Sequence, residues 1–415
     1  MRTLLGEKVL SLYHFALAAL GAFLYRNPSR SMRVIAVTGT KGKTSTTELI
    51  NAILEEAGYK TALINSIRFK AGDSSEPNLT RMSMPGRFFI QRFLARSLEA
   101  GCTAAVLEMT SEGARQHRHR FIELDALVFT NLAPEHIESH GSYEAYANAK
   151  FRIGRQLARS RKRPRIIVAN ADDKESERYL LLPVESALPF SLSAQEPHGA
   201  DAEGGFFTFD ETRIDVHLSG EFSLKNALAA ATLARALNIK AHVIARAIAK
   251  LNKIPGRAER IDEGQDFVAV VDYAHTPDSL RALYEAYGQQ RKICVLGATG
   301  GGRDSWKRPV MGAIAGEHCS RVILTNEDPY DEDPKTIIDD LARTAGPAAE
   351  IIIDRREAVR RALALAQRGD AVLITGKGTD PSIAGPRGTK IPWSDVAVVR
   401  EELRALGKNR AQGTV

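Results

Sequence analysis

A glycine-rich loop near the N-terminus constrains this chain most, because it joins an apolar strand to a helix as phosphate-binding loops do. The run Val37-Thr38-Gly39-Thr40-Lys41-Gly42-Lys43-Thr44-Ser45 follows apolar residues 34–36 and precedes a helical pattern over 46–57. Glycines in this setting let backbone N–H groups surround a phosphate at a helix N-terminus. We therefore expect Lys43 to reach the outer phosphates and the Thr44 hydroxyl to meet Mg²⁺.

Length and charge indicate a globular enzyme with anionic substrates. A chain of 415 residues predicts about two or three domains, and its net charge is +7. The basic runs at 115–120 and 155–165 are not interleaved with aromatic residues, which favours a solvated surface and no nucleic-acid partner. Cys102, Cys294 and Cys319 are scattered, so we expect no disulfide, no metal site of the CxxC kind and no oxidising compartment.

The N-terminal segment 9–25 is apolar and lies between Lys8 and Arg26. Its length is at the short limit for a bilayer span, and no small-residue cleavage site follows it, so no signal peptide is expected. Three interpretations stay open: a helix packed on the next domain, a membrane-surface anchor, or a transmembrane helix. The expected location is cytoplasmic, with peripheral contact at the inner face of the membrane under the second interpretation.

Beyond Pro28, apolar strands alternate with helical stretches, which predicts an α/β fold with parallel sheets. The helical patterns include 224–237 and 241–251, and the glycine-, alanine- and glutamate-rich segment 194–205 is expected to be a surface turn. Pro255-Gly256 marks a domain boundary. We therefore predict a helix over 1–30, an ATP-binding domain over 31–254 and a C-terminal domain over 255–415. The candidate strands are residues 104–107, 126–130, 166–169, 268–271, 293–296, 321–324 and 371–374.

Polar residues follow two of these strands, at the sheet edge where open parallel sheets bind ligands. Glu108 ends the first strand, with Ser111 just beyond, and Glu108 is expected to hold Mg²⁺ opposite the phosphate loop. His136 lies in the loop after the next strand and is a candidate metal ligand with Glu108. Taken alone, Lys150 is typical of a surface helix.

The ordered motifs of the chain resemble those of the Mur ligase family, and most closely its MurE type. The resemblance runs from about residue 34 to 395, and the run VDYAHTPDSL at 271–280 is especially similar to MurE. Besides the phosphate loop, the matching residues are Glu108 with Ser111, Asn131-Leu132, Glu135-His136, His140-Gly141, Ala149-Lys150, 170–173, 220–226, 255–259, 271–278, Gly300-Gly301-Gly302-Arg303-Asp304, Lys307-Arg308-Pro309, Asp354-Arg355 and Gly376-Lys377-Gly378.

The resemblance implies a fold and a reaction. The fold is a P-loop Mur ligase central domain with a mainly parallel sheet, followed by a Rossmann-like C-terminal α/β domain. The reaction is ATP-dependent amide-bond formation in peptidoglycan precursor synthesis. A carboxylate of a muramoyl-peptide acceptor is phosphorylated to an acyl phosphate, and an amino acid attacks it. ATP and Mg²⁺ are the expected cofactors, and a monomer is favoured.

The resemblance also assigns roles to particular residues. Lys43, Lys150, His136 and Glu108 resemble catalytic residues, with Lys150 carbamylated so that it can ligate a second Mg²⁺. Thr44, Glu108, His136 and the carbamylated Lys150 resemble the metal ligands. Asp272 has an alternative interpretation as a cap at its strand end. The expected nucleotide-binding residues are Gly39, Thr40, Lys41, Gly42, Lys43, Thr44, Ser45, Asn226, Arg257, Asp272, Tyr273 and His275.

Departures from the family pattern bear on the substrates. The usual N-terminal domain that grips a uridine nucleotide is not matched, so the resemblance leaves open whether the acceptor is UDP-linked or lipid-linked, or whether the apolar N-terminal segment docks a partner that binds the acceptor. Tyr330 replaces the arginine that pairs with the distal carboxylate of meso-diaminopimelate, and Asp380 replaces a glutamate. Glu327, Asp328 and Asp380 would then favour a cationic amino acid or be solvated. The expected substrate residues are Thr80, Ser83, Met84, Pro85, Ser111, Arg303, Glu327, Asp328, Pro329, Tyr330, Gly376 and Asp380.

Three alternative functions stay open at this stage. A ligase similar to folylpolyglutamate synthetase would show folate-dependent ATP turnover. A MurT-type amidating ligase would carry a cysteine-rich zinc ribbon, which three scattered cysteines do not supply. A non-catalytic membrane-tethered scaffold is disfavoured by the intact Lys43, Thr44, Glu108, His136 and Lys150.

Overall fold

The computed structural model describes residues 2–135 and 137–412, which divide into two compact units. The first unit holds residues up to 199 together with 205–217 and 222–252, and the second holds 200–204, 218–221 and 253 onward. Helices in chain order are α1 (Arg2–Leu24), α2 (Lys43–Glu56), α3 (Arg87–Glu99), α4 (Ser111–Arg115), α5 (Ile137–His140), α6 (Tyr143–Ala158), α7 (Ser176–Leu180), α8 (Glu221–Ala236), α9 (Ala241–Lys250), α10 (Pro277–Ala286), α11 (Lys307–His318), α12 (Pro334–Ala345), α13 (Arg355–Leu365) and α14 (Asp395–Gln412).

The strands form sheets in both units and confirm the predicted α/β class. Every strand predicted from the apolar runs is present, with ends that differ by at most one residue. They are β1 (Arg33–Thr38), β2 (Thr61–Ile64), β3 (Arg68–Ala71), β4 (Ser74–Pro77), β5 (Ala104–Glu108), β6 (Ala126–Phe129), β7 (Ile166–Asn170), β8 (Ser186–Phe190), β9 (His198–Ala200), β10 (Gly205–Phe209), β11 (Thr212–Val216), β12 (Glu259–Ile261), β13 (Val268–Asp272), β14 (Lys292–Leu296), β15 (Arg321–Leu324), β16 (Ala349–Ile351), β17 (Ala371–Thr375), β18 (Ser382–Ala384) and β19 (Lys390–Pro392).

The large sheet of the first unit has eight strands in the order β4-β3-β2-β5-β1-β6-β7-β8. All neighbours pair in parallel except at the β3 and β4 edge. Strand β1 lies between β5 and β6, with Val37 opposite Glu108 and Thr38 opposite Phe129. The carboxyl ends of β5, β1 and β6 therefore lie side by side at the point where the strand order reverses. Open parallel sheets bind their ligands at this point.

Burial on both faces explains why β1, β5 and β6 read as continuous apolar runs. Val34 and Ala36 pack with Leu107, Leu127 and Ile153 in one core cluster of the first unit. Helix α6, which contributes Ile153, begins after Ser142, whose side chain accepts a hydrogen bond from the Ala145 N–H. The core therefore fixes both the strands and the helix that carries Lys150.

Helix α1 packs against α3 at the edge of the first unit. Ala18 and Ala22 are buried there, and an added Cβ on Gly21 would contact Phe88. Among the helices of the described chain, none is long and apolar enough to cross a membrane, which removes the transmembrane interpretation of residues 9–25.

A small antiparallel sheet follows β8, in the order β11-β10-β9. The predicted surface turn over 194–205 is wrong in part, because His198–Ala200 forms β9 and Gly205 begins β10. The strands β10 and β11 carry Phe207, Phe209, Ile214 and Val216, which are buried. Their alternation with polar residues is the strand signal that the prediction did not use.

The second unit contains a six-stranded sheet in the order β12-β13-β17-β14-β15-β16. Only β12 runs antiparallel to its neighbour. Val271, Val295 and Ile374 pack against helices α13 and α14 in the core of this unit. Helix α10 begins with a capping box, in which Thr276 and Ser279 exchange hydrogen bonds, and Pro277 occupies the first turn.

The cysteine prediction is wrong for two of the three residues. Cys294 on β14 and Cys319 after α11 form a disulfide, whereas Cys102 is a buried free thiol. The two bonded residues are 25 positions apart in the sequence. They belong to no motif, and their proximity comes only from the packing of α11 and β15 beside β14, so spacing in the sequence could not reveal it.

Candidate active site

Two glycines shape the loop between β1 and α2. Gly39 has φ +151° and Gly42 has φ +79°, conformations that a residue with a Cβ rarely adopts. An added Cβ would also overlap the Thr130 hydroxyl at Gly39 and the Asn226 side-chain oxygen at Gly42. The loop therefore needs glycine at both positions for conformation and for space.

The segment after β6 holds this loop in place. The Thr130 hydroxyl donates a hydrogen bond to the Lys41 carbonyl at 2.7 Å, and the Lys41 N–H donates to Asn131 Oδ1 at 2.9 Å. The Thr40 N–H donates to the Asn131 carbonyl at 2.8 Å. Because these contacts come from the protein itself, the loop is preorganised before any phosphate binds.

Oxygen atoms of three residues meet at the start of α2. The Thr44 hydroxyl donates to Glu108 Oε2 at 2.9 Å and lies 2.8 Å from the Ser66 hydroxyl. The Ser66 N–H donates to the same Glu108 oxygen at 3.1 Å. Glu108 is buried, so its carboxylate is held in one orientation. The sequence placed Thr44 and Glu108 at one site but did not single out Ser66, which follows β2 without a motif.

The two lysines of the loop have different partners. Lys43 Nζ donates to the Thr40 carbonyl at 2.8 Å. Lys41 Nζ pairs with Glu135 at 3.0 Å, and Glu135 is buried. Lys43, at the first turn of α2, is thus held over the loop backbone, while Lys41 joins the loop to the segment after β6.

Lys150 is a buried amine and not the surface lysine that its helix alone would suggest. Its exposed fraction is 2%, and Nζ donates to the Gly39 carbonyl at 2.6 Å. Nζ also lies 4.9 Å from the centre of the Tyr146 ring, and the Tyr146 hydroxyl is 3.0 Å from Thr40 Oγ1. Burial, with the Lys43 cation nearby, holds the pKa of Lys150 well below its ordinary value. The amine is therefore neutral more readily than an exposed lysine.

His136 lies outside the described residues, so metal ligation by this histidine stays a prediction. Ser111 begins α4 and is buried, directly after Thr110, whose side chain accepts a hydrogen bond from the Gly113 N–H. Asn226 lies on α8, and its Oδ1 accepts from the Thr46 hydroxyl at 3.3 Å. The structure therefore places Asn226 beside the first turn of α2.

The expected substrate residues Thr80, Ser83, Met84 and Pro85 lie in a loop over 79–86, which we call the acceptor loop. An asparagine that the sequence did not single out organises this loop. Asn78 Oδ1 accepts hydrogen bonds from the Thr80 N–H at 3.0 Å and from the Thr80 hydroxyl at 2.6 Å. Its Nδ2 donates to the Met82 carbonyl at 3.0 Å. Met84 and Pro85 are buried, whereas Ser83 is partly exposed. Met84 and Pro85 are thus structural parts of this loop, whereas Thr80 is exposed and Ser83 is partly exposed.

In the second unit, Asp272 ends β13 and accepts two backbone hydrogen bonds. The Ala258 N–H donates to Oδ2 and the Ala274 N–H donates to Oδ1, both at 2.6 Å. Its alternative interpretation as a strand-end cap therefore describes what the side chain does in this structure. The Arg257 guanidinium lies 4.5 Å from the centre of the Tyr273 ring, and the Tyr273 and His275 rings are 4.6 Å apart.

Asp328, in the loop after β15, is buried and already paired with a cation of the chain. Asp328 Oδ1 accepts from Lys377 Nζ at 2.8 Å and from the Ala384 N–H at 2.7 Å. Lys377 Nζ also lies 3.3 Å from Asp380, and the lysine is fully buried. The solvated alternative is therefore wrong for Asp328, and a lysine of the chain already supplies the cation that the sequence had assigned to the substrate.

Glu327 differs from its neighbour. Its Oε1 accepts from the Thr299 hydroxyl at 2.8 Å, whereas Oε2 has no hydrogen-bond partner among the described residues. Burial raises the pKa of this carboxyl, which lies against Gly376. Nearby, the Arg303 guanidinium stacks 4.6 Å from the centre of the Tyr330 ring. Pro329 directly precedes Tyr330 in the chain and lies against Gly300.

Comparison with known protein families supports a single assignment across both units. The family model described as Mur ligase middle domain matches residues 37–234, and the model described as Mur ligase, glutamate ligase domain matches residues 256–378. The UDP-N-acetylmuramyl-tripeptide synthetase of Roseiflexus sp. is 38% identical over 424 residues, covering 94% of this chain and 82% of that protein. The UDP-N-acetylmuramoyl-L-alanyl-D-glutamate--2,6-diaminopimelate ligase of Syntrophomonas wolfei is 37% identical, covering 88% and 76%.

Solved structures share the fold. One of a UDP-N-acetylmuramoyl-L-alanyl-D-glutamate--2,6-diaminopimelate ligase has a TM-score of 0.61 at 29% identity, covering 91% of this chain and 79% of that one. Mycobacterium tuberculosis folylpolyglutamate synthase complexed with ADP has a TM-score of 0.70 at 16% identity, covering 87% and 91%. At that identity the second likeness concerns the fold alone.

Proposed function

The chain belongs to the Mur ligase family of ATP-dependent ligases, and we propose that it acts as a MurE-type enzyme on a muramoyl-peptide acceptor. It joins an amino acid to a carboxylate of that acceptor in peptidoglycan precursor synthesis. The observation that carries this proposal is the 38% identity with a UDP-N-acetylmuramyl-tripeptide synthetase over 94% of the chain. The preorganised phosphate loop of the first unit supports it.

The proposed reaction has two steps. An oxygen of the acceptor carboxylate attacks the γ-phosphorus of ATP, and the bond from that phosphorus to the bridging oxygen breaks. The acceptor becomes an acyl phosphate, and ADP departs. The amine of the amino acid then attacks the acyl carbon, loses a proton, and expels inorganic phosphate as the amide forms. The N–H groups of the loop and Lys43 orient the phosphates and stabilise the negative charge that develops on them.

The residues at the start of α2 fit Mg²⁺. Thr44 and Glu108 offer the oxygen ligands that Mg²⁺ prefers, and Ser66 orients the Glu108 carboxylate through its N–H. No group of three or more His, Cys, Asp or Glu that could hold a metal occurs among residues 2–135 and 137–412. Mg²⁺ usually keeps water and phosphate oxygens as its other ligands. Bound there, Mg²⁺ would neutralise charge on the phosphates of ATP.

We propose that Lys150 is carbamylated, and its burial supports this role. A neutral amine can attack the carbon of CO₂, and loss of one proton from nitrogen then gives a carbamate anion. The burial that lowers the pKa of Lys150 favours the neutral amine. A carbamate at this position would present two oxygens beside the loop, as the Mur ligase resemblance implies, and His136 would be a further ligand.

The amino acid is proposed to bind at the loops after β14, β15 and β17 of the second unit. Arg303 and Tyr330 offer a guanidinium and an aromatic ring there. Since Lys377 already neutralises Asp328, Asp328 does not favour a cationic amino acid. Tyr330 in place of arginine still argues against meso-diaminopimelate, although relatives of the chain are named for that substrate.

The test is phosphate release by the purified protein with Mg²⁺, ATP, a UDP-muramoyl-dipeptide and a panel of amino acids. We expect release that needs both the acceptor and one amino acid, and a product whose mass contains both. A lipid-linked acceptor forms a second arm of the same assay. Turnover with a folate and glutamate, but with neither muramoyl acceptor, would contradict the proposal.

A further inference from the structure

One side of helix α1 is apolar and faces solvent. Ala18 and Ala22 lie on the side packed against the first unit, and they are buried. On the opposite side, Phe23 is 77% exposed and Leu12 is 69% exposed. The outward face of α1 is formed by Val9, Leu10, Leu12, Tyr13, Leu20, Phe23 and Leu24.

The concentration of these residues distinguishes the outward face from ordinary surface. Of the fifteen exposed large apolar residues in the described part of the chain, seven are on this one helix. The others are scattered, as single exposed apolar residues normally are. A helix that is apolar on all sides normally has apolar partners on all sides, and a contiguous exposed patch of this kind marks an interaction surface.

Helix α1 is held to the unit by specific contacts, so its orientation is defined. The Ser11 hydroxyl lies 2.8 Å from His117 Nε2. The Phe15 ring is 5.2 Å from the Phe121 ring and 5.4 Å from the Arg120 guanidinium. These contacts all lie on the side of α1 that meets the first unit, and they direct the apolar face outward.

Arginines border the helix. Arg26 and Arg30 follow it directly in the chain, and both are exposed. The helix on which α1 packs, α3, carries Arg92 and Arg96, which are also exposed. Burial, together with Arg152 and Arg120, lowers the pKa of the His117 imidazole, which contacts Ser11 of α1. An apolar strip with exposed arginines at its C-terminal end and on the neighbouring helix is complementary to anionic headgroups above acyl chains.

We propose that the outward face of α1 docks the protein on an anionic lipid surface. The helix lies parallel to that surface, with Leu12, Leu20 and Phe23 among the outer parts of the acyl chains. The bordering arginines meet the lipid phosphates. Area and charge act together, because a single short apolar strip gives only weak, reversible binding without electrostatic attraction.

The experiment uses the full-length chain and vesicle flotation without any ligase substrate. One set of vesicles contains phosphatidylglycerol and phosphatidylethanolamine, and the other contains phosphatidylcholine alone. We expect the protein to float with the anionic vesicles and to be released by raised salt, since surface charge attraction is screened. Binding to phosphatidylcholine should be weaker by about tenfold or more, on the order expected when several arginines lose their anionic partners.

Matched substitutions test whether α1 is responsible. Phe23→Glu combined with Leu12→Glu should reduce binding to anionic vesicles by about tenfold or more, because both side chains leave the acyl region. Leu181→Glu is the control, since Leu181 is 76% exposed on the same unit but lies away from α1 in the chain. It should bind as the unchanged protein does. Thermal unfolding should be similar for all variants, because none of these residues is buried.

Two outcomes would overturn the proposal. The first is absence of flotation with anionic vesicles, or an equal loss with Leu181→Glu. The second is a dimer in solution that Phe23→Glu dissociates while vesicle binding is absent, which would make the face a contact between copies. Because neither measurement depends on turnover, failure of the membrane proposal and failure of the ligase proposal can be told apart.

Discussion

Lysines from equally recognisable motifs have different environments in the two units. In the first unit, Lys43 and Lys150 donate to backbone carbonyls of the phosphate loop, those of Thr40 and Gly39. In the second unit, Lys377 lies between the carboxylates of Asp328 and Asp380. A lysine that bonds a carbonyl can exchange this partner for a phosphate or react as an amine, whereas a buried lysine between two carboxylates is needed for their neutralisation. The motif alone does not distinguish the two roles.

The largest effect is expected for Lys43→Ala. The variant should lose about 10²–10³-fold or more in ADP release, because a cation that stabilises the transferred phosphoryl group is gone. The variant should stay folded, since alanine is favourable in the first turn of α2. Lys60→Ala is the matched control, because Lys60 is half exposed and pairs only loosely with Asp73 at 3.8 Å. An active Lys43→Ala variant would contradict the catalytic role of the first-unit lysine.

Lys150→Ala should be nearly as damaging, with a loss of about 10²–10³-fold in the same assay. Added formate or acetate should restore part of the activity, because a short carboxylate can occupy the space of a carbamate. Lys174→Ala is the control, since Lys174 also lies over a tyrosine ring, 5.7 Å from the centre of Tyr143. An inactive Lys150→Ala variant that never responds to carboxylates would argue that the lysine acts as an amine or a structural group.

Lys377→Met addresses the other side of the comparison. Removing one partner of a buried ion pair leaves an uncompensated charge, so the second unit should lose about 3–5 kcal/mol in its free energy of unfolding. Urea unfolding measures this loss, and Lys390→Met on the exposed strand β19 is the control. Adding Asp328→Asn should recover part of the stability. A stable but inactive Lys377→Met variant would instead place this lysine among the substrate-binding residues.

The fold could be predicted from the sequence because its signals are local. The apolar runs of β5, β6, β7, β13 and β14 are buried strands whose pattern does not depend on distant residues. Small strands are harder to recognise. The strand β9 is three residues long and lies in a segment rich in glycine and glutamate, so turn composition outweighed its pairing with β10.

The candidate sites could be predicted only as far as the motifs reach. The expectation that Thr44 and Glu108 share a site agrees with their 2.9 Å hydrogen bond. Ser66, which bonds Glu108, and Asn78, which organises the acceptor loop, stand in no motif and become visible only through contacts across the sheet. The pairing of Lys377 with Asp328 spans 49 residues, and nothing in the local sequence reveals it.

The smallest predicted effects concern two carboxyls of the second unit, Glu327 and Glu332. Their replacement should change the free energy of unfolding in opposite directions. Burial raises the pKa of Glu327 above its ordinary 4.5. As pH rises through about 4.5, the unfolded chain loses this proton first, so Glu327 lowers stability progressively up to its folded pKa. Glu327→Gln does not titrate, and it can still accept from the Thr299 hydroxyl. It should therefore be more stable than the unchanged protein at neutral pH, by about 1 kcal/mol, with no gain at acid pH.

Glu332 provides the control of opposite sign. A hydrogen bond from Arg308 lowers the pKa of Glu332, with an Arg308 Nη1–Glu332 Oε1 distance of 2.6 Å. Its contribution to stability is present above about 4.5 and is lost as pH falls through the lowered pKa. Glu332→Gln should thus lose about 1 kcal/mol or more at neutral pH and approach the unchanged protein at acid pH. If urea unfolding showed both Glu327→Gln and Glu332→Gln to be less stable than the unchanged protein at neutral pH, the Glu327 carboxylate would be stabilised within its unit, as the Asp328 carboxylate is. The contrast between Glu327 and Asp328 would then fail.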